Sequence, residues 1–124
     1  MKCGIDVIGG RLDRLNIGMR VGLLSHQAAL SARGCTTAQM LHELLGARLV
    51  ALFGPEHGFF GQTGPGVKTG FRRHPDWKKP VYSLYGSVRR PTPVMLRKID
   101  TLMVDFSDLG VRCYTYFGTL QLTL

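Results

Sequence analysis

Short runs of apolar residues recur along the chain, and each one is closed by a glycine, a proline or a polar residue. Runs of about four to eight apolar residues with such boundaries are typical of strands that are buried on both faces of a sheet. They predict strands over residues 20–25, 48–53, 80–85 and 101–106. A shorter edge element is predicted around Ile5, Val7 and Ile8, ahead of a Gly-Gly pair.

One stretch between the first two predicted strands has helical spacing instead. Thr36 and Gln39 fit a capping box, and the apolar residues that follow predict a helix over Thr37–Leu45. His42 and Glu43 are predicted to lie on its solvent face. The apolar residues expected to form its buried stripe are Met40, Leu41, Leu44 and Leu45.

Strand, helix and strand with tight connections form a βαβ unit, whose two strands are parallel. A second helix start, Thr92-Pro93, predicts a short helix over residues 94–98 before the last strand. The pattern therefore predicts an α/β domain with a mostly parallel sheet. Ligands of open α/β sheets bind outside the carboxyl ends of the strands, so we expect the site at that edge.

Residues 54–80 show neither helical nor alternating spacing and are rich in glycine and proline. A structureless loop longer than about 15 residues is uncommon unless it is functional or disordered. We therefore interpret it as a binding loop over the site. Its second half combines cationic side chains with Trp77, a combination that suits stacking on a sugar or on a base.

Charge adds a preference for anionic partners, because 16 lysines and arginines oppose 8 acids and give a formal net charge of +8. An anionic cell-wall glycan and nucleic acid are both candidates. The chain has no run of the roughly 20 apolar residues that a membrane span needs, and no signal peptide is recognisable. A cytoplasmic location is expected for the chain as given, and a secreted or periplasmic one if a longer precursor exists.

Polar side chains follow three of the predicted strands. They are Ser25, His26 and Gln27, then Glu56 and His57, then Asp105, Ser107 and Asp108. Neighbouring strands lie about 4.8 Å apart, so these groups can meet in one pocket. Two carboxyl groups facing one sugar are the usual machinery of glycoside hydrolysis.

Glu56 is the leading candidate for the acid of such a pair. It lies beside Phe53, Phe59 and Phe60 in sequence, and desolvation by these rings is expected to raise its pKa. A less favoured alternative is a hydrolytic metal site, because no close His-Glu-x-x-His spacing is present. No metal or other cofactor is therefore predicted. The residues of that alternative are His26, Glu56, His57 and Asp105.

Six segments of the chain are, in order, similar to one known family. They are GIDVI (4–8), RVGLLSHQA (20–28), LVALFGPEHGFFG (49–61), PVYSLYG (80–86), RPTPVML (90–96) and VDFSDLGVRCYTY (104–116). Together they resemble the former domain of unknown function 1343, now associated with exo-β-N-acetylmuramidases. The chain has Ser25-His26-Gln27 where this family usually has Thr-Asn-Gln, and Phe60-Gly61-Gln62 where an arginine and Gly-Asp are usual.

The resemblance implies a Rossmann-like, three-layer N-terminal domain over residues 1–124 and release of terminal N-acetylmuramic acid from peptidoglycan fragments. Family members are much longer, so the chain is expected to lack their second domain, which closes the cleft. The resemblance also implies a catalytic role for Glu56, and it leaves Asp105, Asp108, Tyr114 and Tyr116 as candidates for the partner group. Our hypothesis is that Glu56 is the general acid and that Asp105 or Asp108 assists. An arginine would suit the lactyl carboxylate that distinguishes muramic acid. The predicted sugar-binding residues are His26, Gln27, His57, Tyr85, Arg112, Tyr114 and Tyr116.

The rival interpretation is a non-catalytic module that binds an anionic glycan or nucleic acid. Such binding would weaken steeply as salt is added. Its expected contact residues are Arg72, Arg73, Lys78, Lys79, Arg89 and Arg90.

Overall fold

A computed structural model describes residues 2–111 and 115–124, so the predicted site residues Arg112 and Tyr114 lie outside the described part. Its strands are β1 (Val21–Ser25), β2 (Leu49–Gly54), β3 (Arg72–Arg73), β4 (Pro80–Ser83) and β5 (Thr101–Asp105). Its helices are α1 (Gly4–Ile8), α2 (Thr37–Leu45), α3 (Pro93–Leu96) and α4 (Tyr116–Thr123). Two 3₁₀ turns cover Gly9–Arg14 and Gly46–Arg48.

The five strands form one sheet in the order β3-β4-β2-β1-β5. Strand β1 lies parallel to both β2 and β5, and β2 lies parallel to β4, whereas β3 is antiparallel to β4. The parallel strands thus follow the order third, second, first, fourth, which is the order of the first four strands of a Rossmann fold. The prediction of an α/β domain with a mostly parallel sheet is confirmed.

The two faces of the sheet carry separate apolar clusters, because alternate residues of β1 point to opposite sides. Leu23 packs with Leu41 and Leu45 of α2 on one face, where Ile5 of α1 joins them. Leu24 lies in the cluster on the other face, and α3 contributes Met95 to its edge. Helices on both faces of the central sheet give the predicted three layers.

The predicted edge element around Ile5, Val7 and Ile8 is wrong, because these residues belong to helix α1 and not to a strand. Ile5 and Ile8 are three positions apart, so one helical turn puts both on the face that meets the core. The backbone N–H of Cys3 donates to the Asp6 carboxylate at 2.8 Å, which caps the helix start.

Helix α2 begins as predicted, with the Thr36 hydroxyl accepting from the Gln39 backbone N–H at 3.2 Å and the Gln39 side chain accepting from the Thr36 N–H at 3.0 Å. The predicted apolar stripe is only partly right. Leu41 and Leu45 are buried, but Leu44 is 43% exposed. The prediction that His42 faces solvent is wrong, because its ring is half-buried against Trp77.

Trp77 lies between two imidazoles and fastens the long loop to α2. Its ring centroid is 4.1 Å from that of His42 and 3.8 Å from that of His74. His74 is itself buried, and its Nδ1 lies 3.3 Å from the backbone N–H groups of Asp76 and Trp77. Both faces of the indole are therefore occupied, so it is not the stacking platform for a sugar or base that the sequence suggested.

The region predicted to be a structureless loop contains β3, which pairs with β4 at the sheet edge. No helix within the described part of the chain has the length and apolar character needed to cross a membrane.

Candidate active site

The loop after β2 is folded tightly back on the strand that delivers it. A Cβ at Gly54 would lie 2.3 Å from the Phe59 backbone nitrogen, so only glycine fits where the loop returns. His57 adopts a left-handed backbone with φ of 69°, a conformation that non-glycine residues adopt mainly where surrounding contacts hold them. Its Nδ1 lies 3.0 Å from the Thr63 carbonyl oxygen, which can only accept, so Nδ1 carries the proton.

Glu56 is held by three donors, one from its own loop and two from other segments of the chain. The Thr115 hydroxyl donates to its Oε2 at 2.7 Å, and the Gly66 backbone N–H donates to its Oε1 at 3.1 Å. The Tyr85 hydroxyl lies near the carboxylate and acts on it as a further donor, which lowers its pKa. Because these donors come from the loops after β2 and β4 and from the start of α4, the carboxylate is fixed where these segments meet.

These donors determine the charge of Glu56. The Thr115 hydroxyl has the largest effect and lowers the pKa of Glu56, and Gly66 and Tyr85 add to it, against a smaller opposing effect of desolvation. The predicted rise in pKa is therefore wrong. Phe53 and Phe59 are buried in the core, whereas the carboxylate stays near solvent. Glu56 is ionised at neutral pH in this arrangement.

His26 ties the end of β1 to the segment after β5. Its Nε2 accepts from the Ser107 backbone N–H at 3.0 Å, and its ring packs on Tyr116 and Phe106 with centroid distances of 4.5 and 5.8 Å. Its Nδ1 lies 3.3 Å from the Ala28 N–H, but a neutral imidazole has only one acceptor nitrogen. We take the shorter contact, to Ser107, as the hydrogen bond.

The charge of His26 follows from this burial. Desolvation lowers its pKa and outweighs the opposite effect of Asp105 and Asp108, so the ring favours the neutral form. With the ring enclosed and its acceptor nitrogen bonded to a backbone amide, His26 serves the scaffold in this structure. Sugar binding by His26 stays a prediction.

The two acids after β5 are held in different ways. Asp105 accepts a short hydrogen bond from the hydroxyl of Thr37, at the start of α2. Asp108 accepts from the Gly110 backbone N–H at 2.7 Å and so shapes the turn that follows. Both acids line one cavity of about 1250 Å³ together with the two hydroxyl donors to Glu56 and one cation. The polar and charged residues of this lining are Tyr85, Arg89, Asp105, Asp108, Thr115 and Thr119.

The cavity therefore brings several of the predicted site residues together. Glu56 is not among the lining residues, but its partners Tyr85 and Thr115 are. Gln27 lies elsewhere, against Gly61 and in a separate groove beside α2. Tyr116 is buried beside His26.

Thr115 and Gly66 were missed by the analysis of the sequence. Thr115 lies 59 positions from Glu56, and a hydroxyl or a backbone amide carries no local signal of so distant a partner. No cluster of three or more His, Cys, Asp or Glu side chains arranged to hold a metal ion occurs within residues 2–111 and 115–124.

Comparisons with known proteins identify the family of the chain. The family model described as exo-beta-N-acetylmuramidase NamZ, N-terminal, matches residues 21–124. The peptidoglycan beta-N-acetylmuramidase NamZ of Bacillus subtilis (strain 168) is 38% identical over 120 residues, which are 97% of this chain and 29% of that protein.

Solved structures give the same result. One DUF1343 family protein from Bacteroides fragilis has a TM-score of 0.84 at 38% identity. The match covers 98% of this chain and 30% of that protein's chain. A second, from the same organism, has a TM-score of 0.70 at 26% identity, covering 96% and 29%. This chain therefore spans about three-tenths of the length of these relatives, and it belongs to the exo-β-N-acetylmuramidase family, of which it represents the N-terminal part.

Proposed function

We propose that this domain takes part in releasing terminal N-acetylmuramic acid from peptidoglycan fragments, with Glu56 as its catalytic carboxyl group. The observation that carries the proposal is the convergence of three donors on Glu56 at the carboxyl edge of the sheet. An ionisable group fixed by contacts from separate segments is typical of a working site. The relative from Bacillus subtilis is named for action on this type of substrate.

The proposed role of Glu56 is general acid, with Asp105 or Asp108 assisting across the cavity. A general acid must carry a proton when the glycosidic bond breaks, and the pKa of Glu56 is lowered while the site is open to water. A sugar ring bound over the carboxylate removes that water and disfavours its charge, which raises its pKa. Substrate binding is then the event that loads the proton donor.

The residues predicted to bind the sugar keep that binding role in this proposal. His57 lies next to Glu56 in the same tight loop, and Tyr85 touches the carboxylate itself. Arg112 and Tyr114 belong to the same proposal on the resemblance alone.

Nothing in the comparisons supports nucleic acid as a partner, and the six cations of the rival interpretation do not form one free surface. The ammonium group of Lys79 donates to the carbonyl oxygens of Gly46, at 3.1 Å, and of Leu49. Arg73 donates to the Lys78 carbonyl at 2.9 Å. These contacts engage the ammonium group of Lys79 at the end of α2, so it does not face a polyanion.

Hydrolysis of a chromogenic N-acetylmuramide by this 124-residue chain tests the proposal. We expect Glu56→Gln to reduce release by about 10²- to 10⁴-fold, because the amide cannot transfer the proton. Glu43→Gln is the matched control, since Glu43 is exposed on α2 and does not line the cavity. Circular dichroism verifies that each variant is folded.

Equal release by the wild type and Glu56→Gln would remove Glu56 from the mechanism. Failure of the wild type to release the chromogen would overturn the proposed activity for this chain.

A further inference from the structure

The cavity beside Glu56 contains charges of both signs. Asp105 and Asp108 supply the negative charge, and Arg89 is the only cation among the described residues that line it. Two carboxylates in one hollow repel an anionic ligand, so an anionic sugar needs a cation positioned to offset them. Arg89 is the residue in the described lining that can do this.

Arg89 lines the same cavity as Tyr85 and Thr115, the two hydroxyl donors to the proposed acid. Its positive charge acts on the hydroxyl of Tyr85, which in turn hydrogen-bonds to the Glu56 carboxylate. Arg89 and the two hydroxyl partners of Glu56 therefore border one hollow.

The donors of Arg89 are available to a ligand. Within the described part of the chain, Arg89 has no side-chain hydrogen bond and no ion pair, and it is exposed. Some arginines are engaged, since Arg20 pairs with Asp100 at 3.6 Å and Arg48 donates to the carbonyls of Ile17 and Gly18. Of the described arginines without such a partner, Arg89 is the one that lines the cavity. A guanidinium presents a planar fork of donors that matches a carboxylate in two parallel hydrogen bonds.

The backbone that carries Arg89 is anchored on both sides. Val88, directly before Arg89, packs against the apolar cluster on the second face of the sheet. Pro91, two positions after Arg89, is buried. Gly86 begins this segment with φ of 115°, where the side chain of Lys68 lies against it. Arg89 therefore extends from a fixed turn, which reduces the entropy that its ordering by a ligand would cost.

We infer that Arg89 binds the carboxylate of the lactyl ether on muramic acid and so selects this sugar over N-acetylglucosamine, which has no such group. The inference rests on the proposed function and deepens it by naming the residue that distinguishes the two sugars. It differs from a general attraction of polyanions, because it requires one carboxylate placed next to the ring that Glu56 contacts.

Binding of the two free sugars tests this without requiring turnover. Titrations of the chain with N-acetylmuramic acid and with N-acetylglucosamine, followed by NMR chemical shifts, give two dissociation constants and their ratio. We expect the wild type to prefer N-acetylmuramic acid, and Arg89→Gln to reduce that preference by on the order of 10- to 100-fold, as expected for loss of a charge-assisted hydrogen bond. Its affinity for N-acetylglucosamine should stay the same.

Two further variants separate geometry from net charge. Arg89→Lys keeps the charge but loses the two parallel hydrogen bonds, so an intermediate ratio is expected. Arg97→Gln removes one positive charge at the end of α3, outside the cavity, and should leave the ratio unchanged. A loss of preference in Arg97→Gln equal to that in Arg89→Gln would show that only net charge matters and would overturn the inference.

The outcomes also distinguish this inference from the proposed function. A wild type that prefers N-acetylmuramic acid, together with an Arg89→Gln variant that keeps the full preference, would overturn the role of Arg89 and leave the proposed function standing. A wild type that binds neither sugar, or both equally, would overturn both.

Discussion

Glu56 shows how a few local contacts set the properties of one side chain. Its carboxylate accepts from a hydroxyl of Thr115, from a backbone amide and from a phenol, and each of these bonds favours the charged form. Tyr85 responds in the opposite direction, because its hydrogen bond to Glu56 raises the pKa of the phenol. The charge of Glu56, in the loop after β2, is thus linked to the pKa of Tyr85, in the loop after β4.

Removing the strongest of these donors should change the titration of Glu56. Thr115→Val is close to isosteric but cannot donate, so we expect the pKa of Glu56 to rise toward the ordinary value for a glutamate, about 4.3. The carboxyl carbon resonance of Glu56, followed by NMR across the acidic range, measures the shift. Thr115→Ser keeps a hydroxyl and should keep the lowered pKa. An unchanged pKa in Thr115→Val would show that the Gly66 amide and Tyr85 are sufficient.

At the scale of the element, α2 depends on a reciprocal cap at its first turn. Thr36 and Gln39 satisfy each other's backbone N–H groups, and Thr37 extends the same turn toward Asp105. The unpaired N–H groups of a helix start are costly without such partners, particularly in a helix of only nine residues. The cap is therefore a larger share of the stability of this helix than it would be in a long one.

We expect Thr36→Ala to lower the free energy of unfolding by about 1 kcal/mol. Thr36→Ser, which restores the acceptor, should recover most of the loss. Urea denaturation followed by circular dichroism measures both variants. Equal stability of the alanine variant and the wild type would mean that water replaces the Thr36 hydroxyl at no cost.

What could be predicted from the sequence follows from the range of the interactions. The cap and the apolar residues of α2 lie within one short segment, and β1 and β2 are continuous apolar runs, so both kinds of element were recognisable. Helix α1 was misread because Ile5 and Ile8 in so short a segment fit a strand edge as well as a helical turn. The partners of Glu56 were missed because Thr115 reaches it only after the whole chain has folded.

At the scale of the whole molecule, the strand order places β1 between β2 and β5, with a parallel neighbour on each side. The segments that follow β1 and β5 lie next to each other, and the hydrogen bond between Ser107 and His26 joins them. The buried ring packs against Tyr116 and Phe106, and the charges of Asp105 and Asp108 act on its pKa. This junction is a point at which protonation acts on the stability of the entire domain.

The folded state lowers the pKa of His26, so the unfolded chain binds this proton more tightly. The stabilisation is present above the unfolded pKa of about 6.5 and is lost as pH falls through the lower folded pKa. We expect the free energy of unfolding to decrease between about pH 7.5 and about pH 5.5, and to decrease less in His26→Gln, which can still accept from Ser107 but does not titrate. Urea denaturation at the two pH values measures the difference in slope.

Identical pH slopes for the wild type and His26→Gln would contradict this and assign the dependence to other groups. His74, whose burial likewise lowers its pKa, would then be the next residue to replace.

The indole held between His42 and His74 has an optical consequence. Trp77 is the only tryptophan in the chain, so its emission comes from the junction of the long loop with α2 and from nowhere else. A protonated imidazole in contact with an excited indole quenches its light, and the folded chain therefore carries its own fluorescent indicator of acidification at that junction. The same emission reports loop detachment in real time, without any label.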